Sequence, residues 1–181
     1  MLKEMVFAGF GGQGVLSMGT LIAYAAMKEG KEVSWFPSYG PEMRGGTANC
    51  MVNISDEEIS SPIDTEFDIA CVFNIPSLEK FEPKVKKGGM LFWESSTIKK
   101  GPTRKDIQTY AIPAIKMASD KLKNLKVMNM IVMGALVEVS KIIKQESMLT
   151  ALKGALPERH HHLIPLNQQA MELGREIVKK L

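Results

Sequence analysis

The chain has 181 residues, 45% of them hydrophobic and 24% charged, with a formal net charge of +3. Those values fit one globular domain with a buried core, and the small charge gives no ground for a nucleic-acid partner. No run of 18 apolar residues argues for a membrane span, and two cysteines, Cys50 and Cys71, are too few to ligate an iron–sulfur cluster of the usual kind.

Met1 to Glu4 lead straight into an apolar run, Met5 to Ala8, which leaves no room for a cleavable signal and makes a cytoplasmic location the expectation. That run enters Gly9-Phe10-Gly11-Gly12-Gln13-Gly14 and then a helical pattern from Val15 to Glu29. Strand, glycine turn and helix is the arrangement that aims backbone N–H groups and a helix N-terminus at an anion. Gly9, Gly11 and Gly14 satisfy G-x-G-x-x-G, but a plain tight turn with close helix–strand packing satisfies it equally well. A nicotinamide site also wants an acid at the end of the second strand. Here the second strand, Glu32 to Phe36, runs into Pro37-Ser38-Tyr39-Gly40 with no acid at its end.

Pro37 to Gly46 is expected to be a loop. Thr47 to Ile54 alternates with period two, placing Ala48, Cys50, Val52 and Ile54 on one face, and Glu58 to Ser60 is a candidate return strand of a hairpin. Further strands are expected at Phe67–Phe73, Met90–Trp93 after Gly88-Gly89, and Thr109–Ile112. Helices are expected from Pro76, from Pro113, at 128–143, at 146–154 and at 165–180. Strands alternating with helices predict a single-domain α/β fold over 1–181, with a largely parallel but mixed sheet flanked by helices and a Rossmann-like glycine turn after the first strand. Both cysteines fall at apolar strand positions and read as buried reduced thiols. His160-His161-His162 reads as a solvated loop before Pro165, since three consecutive residues cannot all converge on one metal ion.

Tyr39-Gly40-Pro41-Glu42-Met43-Arg44-Gly45-Gly46 is the second informative stretch, a stiff loop with a polar tip. Arg44 has the fork geometry to grip a phosphate or carboxylate, or else pairs with Glu42 inside the loop. If the first two strands form a parallel pair, both glycine motifs leave the same end of the sheet, where ligands of such sheets sit.

Gly9–Val15 followed by Tyr39–Gly46 resembles the gamma subunit of 2-oxoacid:ferredoxin oxidoreductases, and Asn129–Leu136 is similar to that family's long apolar helix. The resemblance implies a holoenzyme that converts a 2-oxoacid and coenzyme A to acyl-CoA, carbon dioxide and reduced ferredoxin. By resemblance 2-oxoglutarate comes first, then pyruvate and other 2-oxoacids. It implies alpha and beta partner subunits, with a ferredoxin-like delta subunit as a further candidate, and assigns thiamine diphosphate and the iron–sulfur clusters to those partners. The candidate contacts with coenzyme A are then Gly9, Gly11, Gly12, Gln13, Gly14, Tyr39, Glu42, Arg44, Gly45 and Gly46, with no catalytic and no metal-ligating residue in this chain. Two other readings stand beside it: a free-standing nucleotide-binding oxidoreductase, and a ligand-free assembly scaffold.

Overall fold

A computed structural model describes residues 1–40 and 45–179. Six strands, β1 (Leu2–Phe10), β2 (Glu32–Tyr39), β3 (Thr47–Ser55), β4 (Phe67–Val72), β5 (Val85–Glu94) and β6 (Gln108–Ile112), form one sheet in the order β2-β3-β1-β4-β5-β6. β1, β4, β5 and β6 run parallel, whereas β3 is antiparallel to both β1 and β2. The helices are α1 (Val15–Lys28), α2 (Ile75–Phe81), α3 (Ala114–Asp120), α4 (Met128–Ser140), α5 (Gln145–Ala155) and α6 (Ile164–Val178). The mixed α/β architecture expected from the sequence is the one observed.

The period of two in β1 sorts its side chains between two cores. Met5 and Phe7 join the larger core under α1, α4 and α6, while Val6 and Ala8 join Leu78 and Phe81 of α2 on the other face. Cys50 and Cys71 both lie opposite Phe7, on the strands to either side of it. Both are free and fully buried. Burial pushes the Cys50 thiol up to about 12 and Cys71 up as well, so neither forms the reactive thiolate. Iodoacetamide is therefore expected to leave both unmodified until the chain is unfolded in urea. Mass spectrometry finding alkylation of the folded protein at either position would contradict this.

Three details of the sheet differ from the sequence reading. The antiparallel hairpin is β2–β3, not 47–60, because residues 56–66 form bends and turns with no strand. β2 continues through Pro37 to Tyr39, since an edge strand tolerates a residue without an N–H. Gly88 and Gly89 lie inside β5 rather than before it.

Candidate functional site

β1 and β2 are not neighbours, since β3 lies between them. Two successive antiparallel pairings nonetheless give them the same direction, so the glycine turn and the second loop emerge together. Gly11 N–H donates to the Gly46 carbonyl at 2.9 Å, and Gly45 N–H donates to the Gly11 carbonyl at 3.4 Å. Gln13 braces the turn from within: its Oε1 accepts from Phe10 N–H at 2.6 Å and its Nε2 donates to the Phe73 carbonyl at 3.3 Å. Gly9 is hemmed in, because a Cβ there would lie 3.1 Å from both Phe73 Cβ and Val15 Cγ1. Gly12 and Gly14 adopt positive φ, 99° and 75°, which only glycine takes up easily. Tyr39 stands 63% exposed at the end of β2. Glu42 and Arg44 lie outside the described residues.

Much of the turn's hydrogen-bonding capacity is therefore spent on holding the two glycine motifs together. The donors left over belong to the helix behind it. Gly14 caps α1 with no side chain, and the amides of Val15, Leu16 and Ser17 have no acceptor among the described residues. This first turn carries the partial positive charge of a helix N-terminus. Leu16 and Ser17 open on a cleft of about 770 Å³ that continues along Thr20 and Trp35.

The rest of its lining comes from distant parts of the chain. Lys126 precedes α4, while Arg159, His160 and His162 lie in the 3-10 turn Glu158–Leu163 between α5 and α6. Asn124, Asn129 and Asn167 supply amides, and Leu152, Leu156 and Met130 an apolar floor. Arg159 Nε lies 3.3 Å from His160 Nε2, and the His160 and His162 rings are 6.4 Å apart. The histidine run takes a 3-10 turn rather than an irregular loop; none of its residues is buried, and His160 and His162 line the cleft. Its third ring, His161, is turned away to the Leu156 carbonyl at 2.9 Å. Asn129, only 6% exposed, links the cleft to the glycine turn, its Nδ2 donating to the Gly14 carbonyl at 3.2 Å. A cleft of this size with a basic wall, amides and an apolar floor suits an elongated anionic ligand.

Residues 4–177 match the family described as pyruvate ferredoxin/flavodoxin oxidoreductase. The chain belongs to that family. Within it, the 2-oxoglutarate synthase subunit KorC of Methanocaldococcus jannaschii is 32% identical, the match covering 100% of this chain and 96% of that protein. The ketoisovalerate oxidoreductase subunit VorA of Methanothermobacter marburgensis is 34% identical over 96% of this chain, but this chain spans only 36% of that protein's length. The crystal structure of a keto/oxoacid ferredoxin oxidoreductase gamma subunit from Geobacter sulfurreducens superposes with a TM-score of 0.84 at 29% identity, covering 99% of both chains. A 2-oxoglutarate:ferredoxin oxidoreductase chain from Magnetococcus marinus, solved with 2-oxoglutarate, coenzyme A and succinyl-CoA bound, gives a TM-score of 0.88 at 28% identity, with 99% of this chain covering 31% of that one. This is the gamma-type fold of the oxidoreductase family, as the two glycine motifs implied.

For this family member, the sequence located the turn and the loop that meets it but not the cleft beside them. No motif marks the cleft, because most of its lining lies more than a hundred positions beyond the α1 residues that open on it. The one available signal was the cationic and imidazole run at Arg159–His162, which stands out by composition. Among the described residues, no group of three or more His, Cys, Asp or Glu side chains is placed to hold a metal ion. No helix among them is long and apolar enough to cross a membrane.

Proposed function

We propose that this chain is the gamma component of a multi-subunit 2-oxoacid:ferredoxin oxidoreductase, and that its part is to hold the phosphate-bearing end of coenzyme A. The observation that carries the second statement is that the uncapped first turn of α1 opens on a cleft that Lys126, Arg159, His160 and His162 also line. Coenzyme A bound in a related oxidoreductase supports the choice of ligand. The overall reaction is CoA-dependent oxidative decarboxylation, giving acyl-CoA, carbon dioxide and reduced ferredoxin. 2-Oxoglutarate is the first candidate acid, because the KorC relative has nearly this chain's length, and a branched-chain acid is the second.

Thiamine diphosphate and the iron–sulfur clusters are assigned to the alpha, beta and delta partners. Cys50 and Cys71 do not suit cluster ligation, being buried in the core on different strands. This chain's contribution is binding energy remote from the reacting carbon, which positions the CoA thiol for chemistry performed elsewhere. Gly9, Gly11, Gly12, Gln13, Gly14, Gly45 and Gly46 then act by fixing the start of α1, with Tyr39, Glu42 and Arg44 as additional candidates for direct contact.

Calorimetry of the assembled complex with coenzyme A tests the assignment. Lys126→Ala and Arg159→Ala each remove a charge-assisted contact of about 1.5–3 kcal/mol, so each is expected to weaken CoA affinity by roughly 10- to 100-fold. KM for CoA is expected to rise while kcat stays near its original value. Affinity unchanged in both variants, with the complex intact, would remove the cleft from the CoA site. The same experiment with Arg44→Ala decides whether the second loop contributes charge.

A further inference from the structure

At the end of the sheet opposite the glycine turn, Ser34 Oγ, Asn53 Oδ1 and Asp64 Oδ2 are buried with no hydrogen-bond partner among the described residues. They form one group. Ser34 lies opposite Asn53 across β2–β3, Glu4 lies opposite Asn53 across β1–β3, and Asp64 faces both Asn53 and Glu4 from the segment that joins β3 to β4. Asn53 is 1% exposed, and its Nδ2 is committed to the Ser61 carbonyl at 3.2 Å.

The charges around this group are fully accounted for. Lys86 of β5 pairs with Glu4 and, at 3.1 Å, with Asp68. Lys3 of β1 reaches Asp68 at 3.5 Å, and Glu4 N–H donates to the same carboxylate at 3.0 Å. Three carboxyl groups, on Glu4, Asp64 and Asp68, thus share two ammonium groups, Lys86 directed at Glu4 and Asp68 and Lys3 at Asp68. Asp64 is left with a buried acceptor oxygen and an adjacent carboxylate, and Lys86, the cation that acts on it, is already paired with Glu4 and Asp68. A buried acceptor without a donor is costly, and two carboxylates in contact resist double ionisation. A single proton on Asp64 resolves both problems.

We propose that Asp64 holds its proton to higher pH than an exposed carboxyl group does and, while protonated, donates it to Glu4, so that residues 56–66 are latched to the sheet by a hydrogen bond that fails as pH rises. Burial, the largest influence, pushes the Asp64 carboxyl above its usual value; the Asn53 amide and the Lys86 charge oppose this and the Glu4 carboxylate adds to it. Asp68 is also penalised by burial, but the Glu4 N–H and Lys86 bring it below its usual value. Burial works against charge on Lys86 too, and its two carboxylate partners more than offset this. An acid whose folded value exceeds its unfolded value, about 3.9 for aspartate, binds an extra proton when folded across the interval between the two. Stability therefore declines as pH rises through that interval.

Carbon-13 NMR of the Asp64 carboxyl in the full chain tests the proton directly. Amide exchange of residues 56–66, corrected for its intrinsic pH dependence, tests the latch. Asp64 is expected to titrate above the range of exposed carboxyl groups, and protection of 56–66 to fall several-fold over the same pH interval. Asp64→Asn keeps a donor without a charge and is expected to abolish that fall. Titration of Asp64 in the ordinary carboxyl range, or an equal fall in Asp64→Asn, overturns the proposal. Should Asp64→Asn fail to fold, the wild-type titration decides alone. Coenzyme A binding enters neither readout, so the latch and the cleft assignment stand or fall separately.

Discussion

Gly134→Ala is expected to destabilise the protein by about 3 kcal/mol or more, and Gly134→Val to prevent folding. Gly134 of α4 and Gly174 of α6 face each other where the two helices cross. A Cβ on Gly134 would overlap the Met171 carbonyl oxygen and lie 2.6 Å from its carbonyl carbon and 2.7 Å from its Cα. A Cβ on Gly174 would in turn overlap the Ile131 oxygen and lie 3.0 Å from Ala135 N. The obstacles are backbone atoms, which no rotamer change can move aside, so the helices must separate. That separation loosens the packing of Ile131 and Met171 and pulls at the Arg175–Glu138 ion pair, Nε to Oε2 2.9 Å. Overpacking a core commonly costs about 1–3 kcal/mol, and a main-chain clash belongs at or beyond the top of that range.

Helix propensity alone predicts the opposite sign, a gain of about 0.5–1 kcal/mol for Gly→Ala in a helix. Urea denaturation of Gly134→Ala and Gly174→Ala therefore separates the two effects by sign. Gly30→Ala is the control: that glycine has φ 74° and nothing within 4 Å of where a Cβ would stand, so only conformational strain of about 1–2 kcal/mol applies. Gly134→Ala matching or exceeding wild-type stability would mean the helices do not cross as closely as described.

Gly14→Ala is expected to cost about 2–4 kcal/mol and to weaken CoA binding together with stability. Two causes add at this position. The residue sits at φ 75°, and its Cβ would collide with the Asn129 amide, lying 2.9 Å from Cγ. Asn129 is buried and donates to the Gly14 carbonyl, so displacing it strands a buried donor and shifts the first turn of α1. Gly12→Ala has the same backbone problem, φ 99°, but open space around it, and is expected to cost only about 1–2 kcal/mol. Equal losses in the two variants, measured by chemical denaturation, would show that Asn129 places no constraint on the turn.

Local signals carried well into three dimensions wherever one residue pattern met one environment. The alternation at Thr47–Ile54 became β3, with Ala48, Cys50, Val52 and Ile54 in the larger core. The helix expected from Pro76 became α2, Ile75–Phe81, which the folded chain caps with Asn74, its Oδ1 accepting from Ser77 N–H at 2.8 Å. The apolar run from 128 ended at Ser140, three residues before the expected 143, where Lys141 takes a left-handed φ of 52°. Apolar composition continues past that point through Ile142 and Ile143, which stay buried outside the helix. Hydrophobicity marks burial there and cannot mark the turn.

The order of residues was enough to establish an α/β protein with a glycine turn after its first strand, and the paired glycine motifs were enough to point to the family. Such features are local: period two, helical spacing and glycine's freedom at positive φ act within a few residues. That β3 lies between β1 and β2 emerged only from the folded chain, because strand order depends on which edges meet. The same holds for the pairing of Gly11 with Gly45 and Gly46, and for the gathering of Lys126, Arg159, His160 and His162 around the cleft that the start of α1 also lines. Those contacts join residues far apart in the chain, and their geometry is set by how the helices pack on the sheet. No spacing within the sequence encodes it.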